Sequence, residues 1–452
     1  MKTITEKKYD VVVLGGGPSG LAAAVACARR GRRVLLVERN AYLGGTAVSG
    51  LGILGYLDRK GRKSLGGFAE ELMNRLMEVH GAIGNFRCPV HNSISPISPA
   101  CMKIVAVEMC REAGVEVLFN HELLDAEVDN GRVTEITVFS KGVARIIPAD
   151  IFIDSTGDGD LAYMAGVPYR LGQDGTGIMQ PATLMFTVID HDLNRFLDYC
   201  EQHPEDFGIK EDYAEGYNPD FFRKTQGHCF IGLTEMIKKA RAAGDFDIPR
   251  NQFIYICTPY SEQLAINTSR IININASDPK QVSDGLLEGY LQVHQLMRFM
   301  NKYVPGFENA RLSSISPTLG IRETRHFEAC YKLKIEELRS DFVRTHAIAQ
   351  SAYNIDIHSG TKDHIDLTPV DEPFGIPYEC CVPKTIRGLL LNGRNIDLDT
   401  ETYASARVIG PCIAVGEADG EAAALALEKK VELSEVPVEE LRERLRKNGN
   451  LF

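Results

Sequence analysis

The chain has no apolar run near the roughly 18 residues that a membrane-spanning helix needs. Its opening residues, MKTITEKKYD, hold no apolar core of a secretory signal. The expectation from these two absences is a soluble, cytoplasmic protein without a membrane partner. Basic clusters are missing too. With 50 Lys and Arg against 61 Asp and Glu, the net charge is −11, which argues against nucleic acid or an anionic membrane as the main partner. None of the 11 cysteines forms C-x-x-C, and no iron–sulfur spacing occurs. Most sit in apolar surroundings, as small buried hydrophobes do. Cys380 and Cys381 are adjacent; a vicinal disulfide and two reduced thiols on a strand both fit, and the reduced pair is the expectation. No metal site is expected. What the chain does have is core: 452 residues at 44% hydrophobic suffice for two or three domains.

The stretch Tyr9–Glu38 (YDVVVLGGGPSGLAAAVACARRGRRVLLVE) organises the rest. Val11–Leu14 is an apolar, β-branched run suited to a strand buried on both faces. Gly15-x-Gly17-Pro18-Ser19-Gly20 follows. Gly15 lets the chain turn out of the strand, Gly17 lets a pyrophosphate approach the backbone, and Gly20 lets the next helix pack on the sheet. That helix is small on its near side (Ala22, Ala23, Ala24, Ala26), and its N-terminus offers free N–H groups to an anion. Gly31 suits its C-terminal cap. Val34–Val37 is a second buried strand. Glu38 ends it about 20 residues beyond the first glycine, where a carboxylate accepts hydrogen bonds from ribose hydroxyls. The same glycines also fit a plain turn in another α/β protein.

Ser49–Gly67 is glycine-rich and reads as a mobile loop. Phe68–His80 is a helix, residues 81–97 are irregular, and Ser98-Pro99 opens a helix to about Ala113. Val115–Phe119 is a short strand. Glu122–Val128 and Arg132–Phe139 form a hairpin about Asn130-Gly131. Ala149–Asp154 is a strand emptying into Ser155-Thr156-Gly157-Asp158-Gly159-Asp160. Here backbone meets phosphate, or Asp158 and Asp160 cap the following helix. From about Leu171 the character changes to separated strands (Phe253–Thr258, Leu264–Ile274, Leu312–Gly320) with helical insertions at Asp192–Ala240 and Lys280–Tyr303. These read as an antiparallel sheet with helical cover. Gly388–Asn392 is a strand again, followed by a loop, a helix Cys412–Lys430 rich in Ala and Gly, and a tail helix Pro437–Leu445.

Several segments together carry a likeness. They are the opening motif with Arg39-Asn40 and Gly44-Gly45-Thr46, then DSTGDGDLAYMAGVPY, QPATLMFTV, LGIRETRHFEACYKL, AYNIDIH, GIPYECCVPKTIRGLLLNGRN and SARVIGPCIAVGEADGEAAALAL. In this order they resemble the bacterial FAD-dependent oxidoreductase family within the glutathione-reductase-like flavoproteins, over nearly the full length. The resemblance implies an α/β fold: a discontinuous Rossmann-like FAD-binding domain with an inserted α+β substrate domain on an antiparallel sheet. The expected division is 1–185 and 346–432 for the FAD domain, 186–345 for the substrate domain and 433–452 for a helical tail. It implies non-covalent FAD held by Gly15, Gly17, Pro18, Ser19, Gly20, Glu38 and Arg39. Further along the chain, Gly44, Gly45, Thr46, Leu124, Thr156, Gly157, Asp158, Gly393, Arg394, Arg407 and Ile409 would complete the cofactor site. The chain departs from the family at His326-Phe327-Glu328 and Thr402-Tyr403-Ala404, where substrate is expected. It has no histidine–histidine–glycine segment like that of fumarate reductases.

In such an enzyme hydride moves between flavin N5 and a small polar substrate, anionic or carbonyl-containing, while a neighbouring group handles a proton. Arg322 and Arg325, with Glu323 and His326, fit a carboxylate clamp, or an ion pair joining two domains. Alternation in Tyr353-Asn-Ile-Asp-Ile-His358 puts Asp356 and His358 on one face, as an acid–base dyad or a structural pair. Tyr403 joins them as a catalytic candidate. Two rivals stand: a monooxygenase or halogenase fed by transient NAD(P)H, since no second GxGxxG is present, and a non-catalytic or RNA-directed FAD scaffold. Oligomerisation is left open.

Overall fold

The computed structural model describes residues 2–88, 90–207 and 217–452. At its centre Tyr9–Leu14 runs parallel to Val34–Glu38 on one side and to Val143–Asp154 on the other. Glu116–Phe119 extends the parallel order past Val34–Glu38, and Leu389–Leu391 pairs with the far side of the long strand. Val11–Leu14 and Val34–Val37 are buried throughout, as continuous apolar runs in a sheet covered on both faces must be. The long strand does two jobs. Its first half pairs with the hairpin Glu122–Asp129 and Arg132–Ser140; its second half, Ala149–Asp154, lies in the parallel part.

Two helices of small residues lie together against this sheet. Pro18–Arg29 and Ile409–Lys429 are buried along almost their whole length. A Cβ on Gly416 would overlap the backbone of Ser19, and one on Gly420 the backbone of Ala23, so glycine sets how closely the two axes approach.

The second core surrounds a five-stranded sheet with Cys229–Gly232, Phe253–Cys257, Gln263–Ile266, Phe186–Ile189 and Arg311–Ile315 in that order, all pairs antiparallel. The helix Pro279–Tyr303 covers it through Val293, Leu296, Phe299 and Met300. The fold is therefore mixed α/β, as expected. Among the described residues, no helix is long and apolar enough to cross a membrane.

Several local expectations are corrected. The strand expected over Leu264–Ile274 ends at Ile266. Beyond it the Thr268 hydroxyl takes the place of a strand partner, accepting from the Ile254 N–H at 2.8 Å and donating to the Ile254 carbonyl. The first insertion is not all helix: Cys229–Gly232, four buried residues, is a strand, and residues 208–216 of that insertion lie outside the described residues. Phe86–Cys88 and Asn92–Ile94 form a small hairpin where irregular chain was expected. Thr400–Ala406 is helical rather than looped, because Asp399 caps it through the Thr402 N–H at 2.8 Å. Cys380 and Cys381 are free thiols in a short 3-10 turn, Tyr378–Cys381, not on a strand. The loop Ser49–Gly67 is packed, with Ile53, Tyr56 and Leu65 buried and bridges from Ile53 to Ser95 and from Leu57 to Lys63.

One buried charge-bearing group has no counterpart. Asp419 is fully buried in Ile409–Lys429, where the weak donor of the Cys381 thiol is its one polar neighbour among the described residues. Burial holds this carboxyl well above the ordinary range, so it is protonated in the fold. In the unfolded chain it ionises above about pH 4. Between the unfolded value and the raised folded one, the folded state holds a proton that the unfolded state lacks, and stability from this group falls by about 1.4 kcal/mol per pH unit as pH rises through that window. Asp419→Asn, which cannot ionise, is expected to gain on the wild type steadily from about pH 5 to pH 8 in urea unfolding. Curves that stay parallel over that range would refute a protonated Asp419.

Candidate active site

Three bends meet at the carboxyl ends of the parallel strands. A Cβ on Gly15 (φ +95°) would overlap the Ser155 carbonyl, so the first bend touches the second; one on Gly393 would sit 2.8 Å from the Ser19 hydroxyl, so the third touches the first. Asn392 Nδ2 donates to Ser155 Oγ at 2.9 Å and fastens the last two together. The buried Asp154 carboxylate, pushed up to about 6 by burial, shapes the second bend by accepting from the Thr156 N–H and Oγ1 and from the Ala162 N–H.

Between the bends lies a groove. The helix Pro18–Arg29 starts at Gly17 with no side chain capping its N–H groups, which leaves them for an anion. A Cβ on Gly17 would meet nothing nearer than the Gly45 Cα at 4.0 Å, so this glycine keeps open space open and serves no packing need. The Glu38 carboxylate is aimed by its own neighbours, accepting from the Gly16 N–H and from the Asn40 N–H and side-chain amide, each at 2.7 Å. The Arg394 guanidinium, enclosed and held strongly protonated despite burial by Asp158, donates to that carboxylate at 2.9 Å and leaves Nη1 without a partner. A groove with an uncapped helix end, an aimed carboxylate and a half-satisfied guanidinium fits a dinucleotide: phosphates for the first and third, a ribose for the second.

Fifteen of the 18 expected cofactor residues line this groove, from Gly15 to Ile409. Three do not. Gly20 is pressed against the Gly15 carbonyl, and Gly44 buttresses the first bend by donating to the Gly16 carbonyl at 2.8 Å. Leu124 is 51% exposed, and the strand's alternation brings Leu123 to the groove in its place. His121 and Tyr42 line it unforeseen.

A second chamber opens off the groove; Thr46, Ile321, Arg394, Arg407 and Ile409 belong to both walls. Here the structure divides the expected catalytic residues. Arg322 faces the chamber and is held by the Pro181 carbonyl at 2.6 Å and Thr183 Oγ1 at 2.7 Å. Tyr403 is behind it, donating to the Arg322 carbonyl at 2.6 Å, with burial raising its phenol far above the ordinary value. Arg325 is elsewhere: it pairs with Asp160 at 3.0 Å and packs over the Tyr163 ring, so it joins two segments of the chain. Glu323 and His326 form a fully buried pair at 3.0 Å.

Asp356 and His358 do share a face and touch, His358 Nε2 to Asp356 Oδ1 at 3.1 Å. Arg270 Nη1 lies 3.3 Å from His358 Nδ1. A guanidinium only donates, so Nδ1 accepts, Nε2 carries the proton, and Asp356 receives it. Both ring nitrogens are therefore engaged. Burial pushes the imidazole down to about 3, against the pull of Asp356. Burial alone would raise the Asp356 carboxyl, but His358, Arg407 and Arg322 hold it well below the usual range. The Tyr353 hydroxyl and Arg407 also donate to it, at 3.1 and 3.3 Å.

Three residues of this chamber escaped the sequence: Arg250, Arg270 and His91. Each stands among other polar residues, as in Arg250-Asn251-Gln252, Asn267-Thr268-Ser269-Arg270 and His91-Asn92-Ser93, with no motif to flag it. The His91 ring is parallel to that of Tyr353, with its Nδ1 3.5 Å from Cys88 Sγ and burial pushing it down to about 4.

The model of the family described as FAD dependent oxidoreductase matches residues 10–445. A thiamine thiazole synthase of Aeropyrum pernix is 35% identical over 131 residues, 29% of this chain and 44% of that protein. Aklavinone 12-hydroxylase of Streptomyces peucetius is 25% identical over 286 residues, 52% of this chain and 55% of that one. The chain thus spans about half the length of these curated relatives. Among solved structures, p-nitrophenol 4-monooxygenase from Pseudomonas putida aligns at a TM-score of 0.48 and 12% identity, covering 98% of this chain and 84% of that one.

The contrast between two glycines tests the groove. Gly17→Ala is expected to fold with the wild-type melting temperature of the FAD-free protein yet weaken FAD binding at least ~10-fold, because the methyl enters only the groove. Gly20→Ala, driven into the Gly15 carbonyl, is expected to destabilise the fold itself by at least ~1 kcal/mol. Flavin absorbance per protein and thermal melts separate the two; full FAD occupancy in Gly17→Ala would show that the dinucleotide lies elsewhere.

Proposed function

The chain belongs to the FAD dependent oxidoreductase family, and on that premise we propose that it transfers hydride to or from a small polar organic substrate bearing an anionic or carbonyl group. The observation that supports this is the wall shared by groove and chamber, with Arg322 and Arg407 on the chamber side. Bound FAD supplies the two-electron redox chemistry at N5 of its ring. The protein supplies the rest. Arg322, free of any carboxylate partner among the described residues, orients the polar end of the substrate. Asp356 stays ionised and holds Arg407, Tyr353 and His358 in one cluster. His358 acts through Asp356, since neither of its nitrogens is spare. His91 lines the same chamber as a neutral imidazole whose Nε2 has no hydrogen-bond partner among the described residues, and it is the group that takes or returns the substrate proton. Tyr403 and Arg325 position: the one steadies the Arg322 backbone, the other ties 325 to the second bend. The reduced or oxidised flavin is recycled by a diffusible electron carrier.

Anaerobic mixing of the FAD-loaded protein with small organic acids, alcohols and carbonyl compounds should bleach or restore the flavin band with at least one of them. His91→Ala should keep FAD and slow that step at least ~100-fold. His358→Ala should keep FAD and act mainly by raising KM, through loss of order at Asp356 and Arg270. Bleaching by NADPH alone, followed by oxygen-dependent product formation, would replace this proposal with a monooxygenase. An unchanged rate in His91→Ala would remove His91 from the proton path.

A further inference from the structure

The chamber is short of negative charge. Arg250, Arg322, Arg394 and Arg407 line it and Arg270 stands behind His358; among the described residues Asp158 answers Arg394, Asp363 acts on Arg270 at longer range, and Asp356 is the one carboxylate in the wall for the other three. Only Arg407 makes an ion pair with it, at 3.3 Å. Arg270 is fully buried and spends its donors on the carbonyls of Ser359, Lys362 and His364 and on His358. Arg250 is 2% exposed, and its one hydrogen bond among the described residues runs from Nε to the Gln252 carbonyl at 3.3 Å, leaving both terminal nitrogens unpartnered beside the chamber. The histidines add no charge, since burial keeps His91 and His358 neutral. Burial and mutual repulsion bring the Arg250 and Arg322 guanidinium groups down to about 9, and still protonated at neutral pH.

Buried cations are tolerated when they are paired. With Arg394 and Arg270 answered by Asp158 and, at longer range, Asp363, Asp356 alone faces Arg250, Arg322 and Arg407, so a monoanion leaves one guanidinium in excess and a dianion leaves none. The wall also carries an aliphatic face, with Leu51, Leu54, Ile231, Ile254, Ile256 and Leu367. That surface suits hydrocarbon between the charged ends. A carboxylate matches the guanidinium fork in bidentate geometry.

We propose that the chamber binds a small aliphatic dicarboxylate, with Arg250 and Arg322 each facing a carboxylate and the hydrocarbon lying on the isoleucine and leucine wall. This rests on the proposed oxidoreductase activity for its purpose, but binding is measurable without turnover. Succinate, glutarate and adipate, at matched ionic strength, are the probes, with butyrate and succinamide as the monoanionic and uncharged comparisons, and inorganic phosphate as the other dianion. The readouts are the melting temperature of the FAD-loaded protein and the shape of its flavin band.

At least one diacid is expected to raise the melting temperature by several degrees and to half-saturate at a concentration at least ~10-fold below butyrate, with succinamide inert. Arg250→Met and Arg322→Met are expected to weaken that binding at least ~10-fold while keeping flavin absorbance per protein. Butyrate equal to the diacids, diacid binding undiminished in both variants, no effect of any diacid at tens of millimolar, or a response to phosphate alone would each overturn the proposal. The comparison of diacid, monoacid and diamide on the unaltered protein stands even if a variant misfolds. Diacid binding with no bleaching by any compound would keep this proposal and tell against the redox one; bleaching by an uncharged compound without diacid binding would do the reverse.

Discussion

Close approach of backbone to backbone governs this molecule. The helix Pro18–Arg29 lies with Gly20 against the Gly15 carbonyl on one side and with Ser19 and Ala23 against Gly416 and Gly420 on the other. Its position is therefore set from two directions by atoms that cannot rotate away. That rigidity places the uncapped N-terminus, with its N–H groups, at a fixed point beside the Thr156–Gly157 bend and Gly393. A helix dipole is useful to a phosphate only at the helix end, within the first turn, so a shift of the helix by one residue would empty the groove of its main attraction. Small residues spread over 400 positions of chain thus act on one spot.

The same wall that closes the groove opens the chamber. Arg394 and Arg407 belong to both, yet they are held differently: Arg394 by Asp158, on the groove side, and Arg407 by Asp356, on the chamber side. Each carboxylate fixes one guanidinium between cofactor space and substrate space. Asp356 has further donors in Tyr353 and His358, and His358 is fixed in turn by Arg270. A chain of this kind, running from a guanidinium that only donates through an imidazole that accepts and donates to a carboxylate that only accepts, specifies a single protonation pattern.

The cofactor half was legible because its chemistry is written in glycines and in strand-to-bend transitions, which are local. Gly17, Glu38 and Gly393 each stand at the end of an apolar run, and the run announces them. Of the misses, Gly20 and Gly44 are packing positions beside the groove, and at Leu124 the strand's alternation turns Leu123 to the groove instead. The chamber was legible only in part. Asp356 and His358 were within reach since alternation joins them over two residues. Arg250 and Arg270 were not, because each lies in a loop outside the strands Phe253–Cys257 and Gln263–Ile266, among other polar residues, and such an arginine carries no sign of where its guanidinium will end. The strand Cys229–Gly232 was missed for a related reason: four apolar residues among helical neighbours have too few positions to show a period.

Arg322 and Arg325 look alike in sequence, three positions apart and in one motif. Their partners make them different. Arg325 meets a carboxylate, Asp160, and its charge is answered within the protein. Arg322 meets a carbonyl and a hydroxyl, Pro181 and Thr183, and Arg270 likewise meets carbonyls and a neutral imidazole. Neutral oxygens orient a guanidinium without neutralising it, so they aim the group and leave its field intact. A carboxylate in the same place would fix the side chain equally well and cancel the attraction for an incoming anion. Neutral oxygen partners at Arg322 and Arg270, against carboxylate partners at Arg325, Arg394 and Arg407, separate guanidinium groups that no carboxylate contacts among the described residues from those paired within the protein.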